Sequence, residues 1–328
     1  MTYDAIVIGG SFAGLSAAIQ IARARRRVLL IDAGLPRNRF VEASHGFLGQ
    51  DGRRPRDIIG DARRQLSIYP TVEFIDSVAV SAGKADDHFA VALADGTEKR
   101  AMRLILATGV KDDLPVIPGL PERWGVSVLH CPYCHGYEVG GQALGVLANT
   151  PLSAHQALLI SDWGPATYFT QNTFEPDAEH LSDLAARNVP IERTPVVELL
   201  GNAPRLEAVR LSDGRVVPVD AIFTAPKTNM ASPLAEQLGC AFDDGPLGAF
   251  RETTGCRQRS RAFMRPAMQP VPWPMQQWPQ RLVSKPGLAR INRSSSQDRP
   301  CAPTARYHGD GFRLTQLRAK TQLRQGNR

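Results

Sequence analysis

The sequence predicts an α/β protein with two domains, and three observations lead to that prediction. Residues 3–24 combine a short apolar strand pattern, a glycine-rich turn and a helical pattern. A second strand–turn–helix pattern begins near residue 143, and two closely spaced cysteines lie between the two patterns. A chain of 328 residues is long enough for two hydrophobic cores of ordinary size. A single small module is therefore excluded.

The first pattern is typical of a dinucleotide-binding unit of the Rossmann type. Residues 5–8 are predicted as a strand, residues 13–24 as a helix, and residues 27–32 as a buried strand that ends in an acid. The turn follows the G-x-G-x-x-G fingerprint except that Ser11 stands at its middle glycine, and this small side chain still permits close approach to a pyrophosphate. The helix N-terminus offers N–H groups to phosphate. The predicted cofactor-binding residues here are Gly9, Gly10, Ser11, Ala13, Gly14 and the ribose-binding acid Asp32.

The remaining patterns divide the chain into two halves. In the first half, the predicted strands lie at residues 72–80, 89–93 and 104–109. Prolines at 115, 118 and 121 then interrupt the pattern and predict a crossing between domains. In the second half, the predicted elements are a strand at 143–147, a helix at 153–160 and a strand at 167–170. The alternation over residues 209–223 around Asp213-Gly214 predicts a hairpin.

The two closely spaced cysteines, Cys131 and Cys134, are the predicted redox centre. Thiols at C-x-x-C spacing can form and break one disulfide, and a helix N-terminus at this point would stabilise a thiolate. His135 adjoins the second thiol and can transfer a proton near neutral pH. The string also matches covalent c-type haem attachment, but that needs export, and no signal peptide is expected. Structural zinc lacks a second pair of ligands, so no metal site is predicted.

Two further residues are weaker candidates. His45 lies in the glycine-flanked loop Ser44-His45-Gly46 and is either a turn residue or a contact to a flavin or its substrate. It is included among the predicted cofactor contacts. Cys240 is predicted to be a small, buried apolar residue.

The composition favours a cytoplasmic protein. Five cysteines, with two of them closely spaced, do not form the dense pattern of a secreted disulfide scaffold. Residues 5–22 carry no charge, but three glycines interrupt them and no basic segment precedes them, so neither a signal peptide nor a membrane span is expected. No membrane partner is predicted.

The net charge of +7 is concentrated in one segment. Residues 253–328 contain 15 of the 39 Lys and Arg but 2 of the 32 Asp and Glu, which leaves residues 1–252 acidic. This tail is rich in Pro, Gln and Arg, has no sustained apolar period, and is predicted to be disordered or translated out of frame. A nucleic-acid-binding appendage is the alternative, but the tail lacks interleaved aromatic residues and any known module. No specific nucleic-acid partner is predicted.

With these motifs, the chain closely resembles the low-molecular-weight thioredoxin reductase-like flavoproteins of the pyridine nucleotide-disulfide oxidoreductase class. The resemblance covers roughly residues 3–252 and rests on four segments, at residues 8–14, 31–34, 107–109 and 131–138. The Cys-Pro-Tyr-Cys-His-Gly-Tyr-Glu string is most similar to the branch that includes dithiol oxidases acting on small metabolites.

The resemblance implies a fold and a division into domains. It implies two Rossmann-like domains of the three-layer ββα type. Residues 1–117 and 226–252 would form a discontinuous FAD domain, and residues 118–225 an NAD(P)H-like domain that carries the C-x-x-C pair. It also implies a homodimer, and a thioredoxin-like protein or a small dithiol or disulfide as the partner.

The resemblance also implies roles for individual residues. FAD is the implied cofactor, with Ala107, Thr108 and Gly109 among its contacts. Cys134 would lie nearest the flavin and Cys131 would exchange with the substrate. His135 stands where thioredoxin reductases have an acidic proton donor.

The chain departs from the family pattern at the second nucleotide loop. The family has Gly-x-Gly-x-x-Ala there, whereas residues 147–154 read Leu-Ala-Asn-Thr-Pro-Leu-Ser-Ala. Arg187 is the one Lys or Arg between residues 143 and 190, so arginines for an NADPH 2′-phosphate are missing. The sequence therefore predicts weak use of NADPH.

The second departure is the tail, where the family's Val-Pro-Gly-Val-x-Ala-x-Gly-Asp-Ala segment is missing. Reading the codons of residues 259–273 one base out of frame permits Val-Pro-Gly-Val-Tyr-Ala-Thr-Gly-Asp-Ala-Ala-Arg-Ala. We therefore hypothesise a reading-frame change shortly before Arg259.

Three functions follow in order of preference. The first is an FAD-dependent thiol–disulfide oxidoreductase of thioredoxin reductase type. The second is a flavin-dependent dithiol oxidase with oxygen as acceptor, and the third is an inactive, truncated homologue.

Overall fold

The computed structural model describes residues 2–240, 242, 244–245, 248–249 and 263–264. The helices in this part of the chain are α1 Phe12–Arg23, α2 Pro55–Ser67, α3 Pro132–His135, α4 Ser153–Ile160, α5 Ala178–Ala186 and α6 Leu234–Gln237, with a 3₁₀ turn at Pro121–Arg123. The strands are β1 Thr2–Tyr3, β2 Ala5–Ile8, β3 Val28–Asp32, β4 Val72–Asp76, β5 Ala79–Ala85, β6 His88–Leu93, β7 Glu98–Ala101, β8 Leu104–Leu106, β9 Val110–Asp113, β10 Val128–Leu129, β11 Leu144–Leu147, β12 Ala166–Phe169, β13 Ile191–Glu192, β14 Val196–Leu200, β15 Ala208–Leu211, β16 Val216–Pro218, β17 Ala221–Phe223, β18 Lys227–Met230, β19 Asp244–Gly245, β20 Gly248–Ala249 and β21 Phe263–Met264.

The first parallel sheet has the order β21-β8-β2-β3-β4. Helix α1 connects β2 to β3, and helix α2 lies between β3 and β4 in the chain. Strand β8 pairs with β2 on the side away from β3, so the strand order reverses between β2 and β8. Ligands of open α/β sheets bind outside the carboxyl ends of the strands at such a reversal.

Alternate residues of β2 cover the two faces of this sheet, as the period of a strand requires. Ile6 and Ile8 pack with Phe89 of β6, which belongs to the β-meander β5-β6-β7. Val7 packs on the other face with Leu15 of α1. Because both faces are buried, the strands are nearly continuous apolar runs. The result is three layers: meander, parallel sheet and helices.

The second parallel sheet repeats this arrangement with the order β10-β17-β11-β12-β13. Helix α4 connects β11 to β12 and helix α5 connects β12 to β13. Val146 packs with Ala157 of α4 on one face, whereas Leu147 packs with Val209 of the antiparallel sheet β14-β15-β16 on the other. The strand order reverses between β11 and β17. The predicted α/β fold of two Rossmann-like ββα domains is confirmed.

Two antiparallel strands connect the halves of the chain. Strand β9 follows the first sheet and strand β18 follows the second, and they pair from Lys227 opposite Asp113 to Met230 opposite Val110. The predicted boundaries at 117/118 and 225/226 lie just beyond this pair, and they stay predictions.

Several predicted elements need correction. The predicted strand at 72–80 is two strands of different sheets, because the chain turns at Ser77, whose N–H donates to Asp32 O at 2.9 Å. The predicted hairpin is β15–β16, but its last segment, Ala221–Phe223, is the β17 strand of the second parallel sheet. Three consecutive buried apolar residues mark β17 as a strand covered on both faces. Helix α2 was not predicted from the sequence.

The proposed out-of-frame tail lies outside the described residues except for Phe263–Met264. These two residues form β21 and pair in parallel with Leu104 and Ile105 of β8. The frame hypothesis stays a prediction.

Alanine at two glycines inside helices should change the free energy of unfolding in opposite directions. A Cβ on Gly14 of α1 would overlap the carbonyl oxygen of Gly9, so Gly14→Ala should destabilise the fold by about 1–3 kcal/mol. A Cβ on Gly60 of α2 would meet only the guanidinium end of Arg64, at 3.6 Å. Gly60→Ala should therefore stabilise the fold by about 0.5–1 kcal/mol. Urea unfolding of both variants checks the pair, and equal effects would contradict the close packing of α1 on the glycine turn after β2.

Candidate active site

The glycine turn after β2 brings together residues from both sides of the strand reversal. Gly9 has φ +108°, and a Cβ on it would overlap the carbonyl oxygen of Ala107 at the end of β8. A Cβ on Gly14 would overlap Gly9 itself. Thr108 and Gly109 follow Ala107 directly, and Gly109 also has a positive φ, +70°. The turn is therefore compact enough for a ligand to approach the backbone closely.

The N-terminus of α1 faces this turn. Ser11 caps the helix in an extended conformation without a side-chain hydrogen bond, so first-turn N–H groups, including that of Ala13, remain available to a phosphate. Asp32 Oδ1 accepts hydrogen bonds from the N–H groups of Gly10 at 3.0 Å and Gly34 at 3.2 Å. These residues fit a dinucleotide such as FAD, with its pyrophosphate at the helix N-terminus and its ribose near Asp32.

The thiol pair lies beyond the carboxyl end of β10, where Cys131 caps the short helix α3. The Cys134 thiol donates to Cys131 Sγ at 2.6 Å, and both residues are partly exposed. Pro132 occupies the first helical position, where its missing N–H is no loss. The pair can therefore form a disulfide without rearranging the helix.

The two thiols have opposite electrostatic surroundings. The hydrogen bond from Cys134 lowers the pKa of Cys131, and the N–H groups of Cys134 and Tyr133 and the charge of Arg37 lower it further against the effect of burial. The same contact, with burial and the charge of Glu138, raises the pKa of Cys134. Cys131 is therefore the more acidic thiol of the reduced pair, and Cys134 is the less acidic one.

His135 lies on the same helix as the thiols. Its Nδ1 atom is 3.4 Å from the carbonyl oxygen of Cys131. Burial lowers the pKa of His135, although Cys131 O and Glu138 oppose the shift, so the imidazole is neutral at pH 7. With Nδ1–H donated to the carbonyl, the Nε2 lone pair is left to accept a proton.

His45 reaches the thiol site from the other half of the chain. Its Nδ1 atom lies 3.3 Å from Glu138 Oε1 and 3.8 Å from Asp51 Oδ1. The structure therefore brings together Cys131, Cys134, His135 and His45 near one helix, and the predicted flavin contact of His45 stays a prediction.

Two charged residues of this site were missed by sequence reasoning. Glu138 is the last residue of the segment 131–138. Its position three residues after His135 was the signal from which it could have been predicted. Arg37 lowers the pKa of both thiols, and Asp112 holds its guanidinium through two contacts of 2.9 and 2.5 Å. No local pattern could reveal Arg37, because Asp112 is 75 residues away.

The corresponding loop of the second half follows β11 and contains no glycine. It differs from the glycine turn after β2 in its hydrogen bonds. Ser153 is fully buried, and its hydroxyl accepts from the N–H groups of Asn149 at 3.2 Å and Thr150 at 3.3 Å. The hydroxyl of Thr224, across the strand reversal, donates to Leu147 O at 3.0 Å. Two N–H groups of this loop, those of Asn149 and Thr150, are thus already used by the protein.

Two arginines that follow β12 in the chain, Arg187 at the end of α5 and Arg193 after β13, form contacts within the protein. Arg187 donates to Leu158 O at 3.0 Å and to Asp162 at 2.6 Å. Arg193 donates to Glu175 at 3.1 Å. Glu175 and Asp177 follow β12 where a 2′-phosphate would need cations.

The described residues offer neither a metal-binding cluster nor a membrane-spanning helix. They contain no group of three or more His, Cys, Asp or Glu side chains arranged to hold a metal ion. None of their helices has the length and apolar character needed to cross a membrane.

A chain with two dinucleotide-type domains and a thiol pair matches known proteins. The family model of the pyridine nucleotide-disulphide oxidoreductases matches residues 3–141. Thioredoxin reductase tcpT of Claviceps purpurea is 32% identical over 268 residues, which cover 78% of this chain and 83% of that protein. Thioredoxin reductase aclD of Aspergillus oryzae is 37% identical over 272 residues, covering 77% and 86%. The crystal structure of an oxidoreductase from Agrobacterium tumefaciens has 47% identity and a TM-score of 0.76, covering 81% and 89%.

The chain therefore belongs to the thioredoxin reductase-like pyridine nucleotide-disulphide oxidoreductases. The resemblance expected from the sequence motifs is confirmed.

The unequal thiols give a prediction for the reduced protein. At pH 7, iodoacetamide should modify Cys131 at least about tenfold faster than Cys134, because the thiolate is the nucleophile. Peptide mass spectrometry after short exposures measures each site separately. Cys134 reacting first, or both at one rate, would contradict the assignment of the thiolate.

Proposed function

We propose that this protein is an FAD-dependent thiol–disulfide oxidoreductase in which electrons pass between flavin and the Cys131/Cys134 pair and then to or from a substrate disulfide. The contact between the two sulfurs, 2.6 Å at the cap of α3, carries the proposal. Their opposite pKa shifts give the two thiols separate tasks. The membership in a family of FAD-dependent enzymes supports the cofactor.

The cofactor would bind at the first glycine turn. Gly9, Gly10, Ser11, Ala13 and Gly14 would surround the pyrophosphate, Asp32 would accept from the ribose, and Ala107, Thr108 and Gly109 would line the other side of the crevice. FAD supplies two-electron redox chemistry to the thiol pair when it is bound.

In the reductive direction, the Cys131 thiolate attacks a substrate disulfide. The proton that Cys131 loses is held by His135 Nε2. One substrate S–S bond breaks, a mixed disulfide with Cys131 forms, and His135 passes that proton to the departing sulfur. Cys134 then gives up its proton and attacks Cys131, which releases the second substrate thiol and leaves the Cys131–Cys134 disulfide. The net change is two electrons and two protons moved to the substrate.

The opposite direction is a second candidate, favoured by the loop after β11. A substrate thiol would give its proton to His135 and attack Cys131 in the disulfide form, and the second substrate thiolate would then release Cys131. With oxygen as the final acceptor, the net reaction converts a dithiol and O₂ to a disulfide and hydrogen peroxide. The hydroxyl of Ser153, which occupies the loop N–H groups, argues against NADPH as the donor and so favours this direction.

The partner and setting follow from the same proposal. The substrate would be a thioredoxin-like protein or a small dithiol or disulfide, and the relatives named thioredoxin reductase support the first of these. A cytoplasmic homodimer is the proposed form of the protein.

Loss of one sulfur tests the thiol chemistry. Cys134→Ser should abolish disulfide exchange with a small dithiol while bound flavin, measured by its absorbance, is retained, since the glycine turn lies on other strands. Cys240→Ser serves as the matched control, because Cys240 is a partly buried cysteine packed against the core between the first parallel sheet and the meander. Exchange should be preserved in this variant. Undiminished turnover in Cys134→Ser would contradict the proposal.

The electron donor gives a separate prediction. Under anaerobic conditions, excess NADPH should bleach the flavin of the native protein slowly, whereas a small dithiol should bleach it rapidly through Cys131. The physical reason is that the loop after β11 has no glycine and no free Asn149 or Thr150 N–H for a pyrophosphate. Stopped-flow absorbance compares the two donors, and rapid stoichiometric bleaching by NADPH would favour the reductase direction instead.

A further inference from the structure

Glu138 stands between two histidines that come from different parts of the chain. Its Oε1 atom lies 3.3 Å from His45 Nδ1; 24% of the His45 side chain is exposed, whereas Glu138 is more exposed, at 37%. The pair joins the loop at residues 44–51 to the segment that carries the thiols.

The backbone places Glu138 on the same face as His135. The helical turn continues past α3, because the N–H of Val139 donates to His135 O at 3.3 Å. Residues three apart on such a turn are neighbours. Glu138 therefore faces His135 from its own turn and His45 from the loop.

The loop at residues 44–51 lies directly against α3. A Cβ built on Gly46 would be 3.8 Å from Tyr133 O, which is ordinary contact. The Gly46 N–H donates to Asp51 Oδ1 at 2.8 Å, so Asp51 organises the loop itself. Asp51 is 70% exposed and lies farther from His45 than Glu138 does, at 3.8 Å. The titratable groups around the two imidazoles are thus Glu138, Asp51 and His130, which interacts with His135, and each imidazole also interacts with the other.

We propose that Glu138 is a positioning residue of the thiol site: its carboxylate holds His45 and the loop at residues 44–51 against α3, and it stabilises His135 while that imidazole carries a proton. This proposal rests on the function proposed above, because His135 transfers a proton during turnover only if thiol exchange occurs there.

The carboxylate would act at one point of the exchange. When a substrate thiol loses its proton to His135 Nε2, an imidazolium forms beside the thiol pair. A fixed carboxylate lowers the energy of that cation, and the direction of its effect on the pKa of His135 is upward. In the opposite direction the same imidazolium donates its proton to the departing sulfur, so no further reactant is needed.

The experiment compares Glu138→Gln with Asp51→Asn in the full, flavin-loaded chain. Both substitutions remove one negative charge near His45 and keep an oxygen acceptor. NMR titration of labelled histidine, with the His135 signal assigned through His135→Gln, measures the pKa of His135 directly and needs no turnover. Hydrogen exchange of residues 44–51 measures how firmly the loop is held.

The expected results differ between the two variants. Glu138→Gln should lower the pKa of His135 by about 0.5–1 unit, speed hydrogen exchange in the loop, and reduce kcat for disulfide exchange about tenfold with KM little changed. Asp51→Asn should leave the pKa of His135 unchanged. Glu138→Asp should recover most of the kcat for disulfide exchange.

Two outcomes would overturn parts of the argument separately. Equal His135 titrations in native protein and Glu138→Gln, with native turnover intact, would reject the role of Glu138 and leave the proposed function standing. Absence of thiol exchange in the native protein, with a shifted His135 titration in Glu138→Gln, would reject the proposed function while keeping the electrostatic contact.

Discussion

The constraint on which this structure depends is that a parallel sheet must be covered on both faces. In each half of the chain, helices cover one face and an antiparallel sheet covers the other, and the apolar strands β2 and β11 lie in the middle. Polar groups are therefore excluded from the faces of the sheets. They collect at the carboxyl ends of the strands, and both the glycine turn after β2 and the thiols after β10 lie there.

Local patterns were sufficient to predict most of what lies in these sheets. The β2–α1–β3 unit and helix α4 could be predicted because a buried strand and an amphipathic helix leave short periodic signals. The boundaries of 72–80 and 209–223 were wrong because the same alternation continues across a turn into a strand of another sheet. Helix α2 was missed since its first residues, Pro55-Arg56-Asp57, are more typical of a loop.

The site also combines residues that local sequence signals predict with residues that only the tertiary structure brings together. Cys131, Cys134 and His135 are neighbours in the sequence, and their spacing was enough to predict them. Arg37 is held by Asp112, 75 positions away, and His45 contacts Glu138, 93 positions away, so only folding brings these groups to the thiol helix. Sequence reasoning could suggest His45 from its glycine-flanked loop but not its partner, because a partner is fixed by three-dimensional packing.

The two nucleotide-type loops show how one architecture supports different chemistry. In the first, Asp32 takes one N–H of the turn and the helix N-terminus remains open. In the second, the Ser153 hydroxyl takes two loop N–H groups, and Thr224 joins the strands across the reversal. A pyrophosphate would have to displace Ser153, a fully buried residue, before it gained any of those hydrogen bonds. Part of the energy of binding a pyrophosphate there would therefore go into breaking the two hydrogen bonds that Ser153 already accepts.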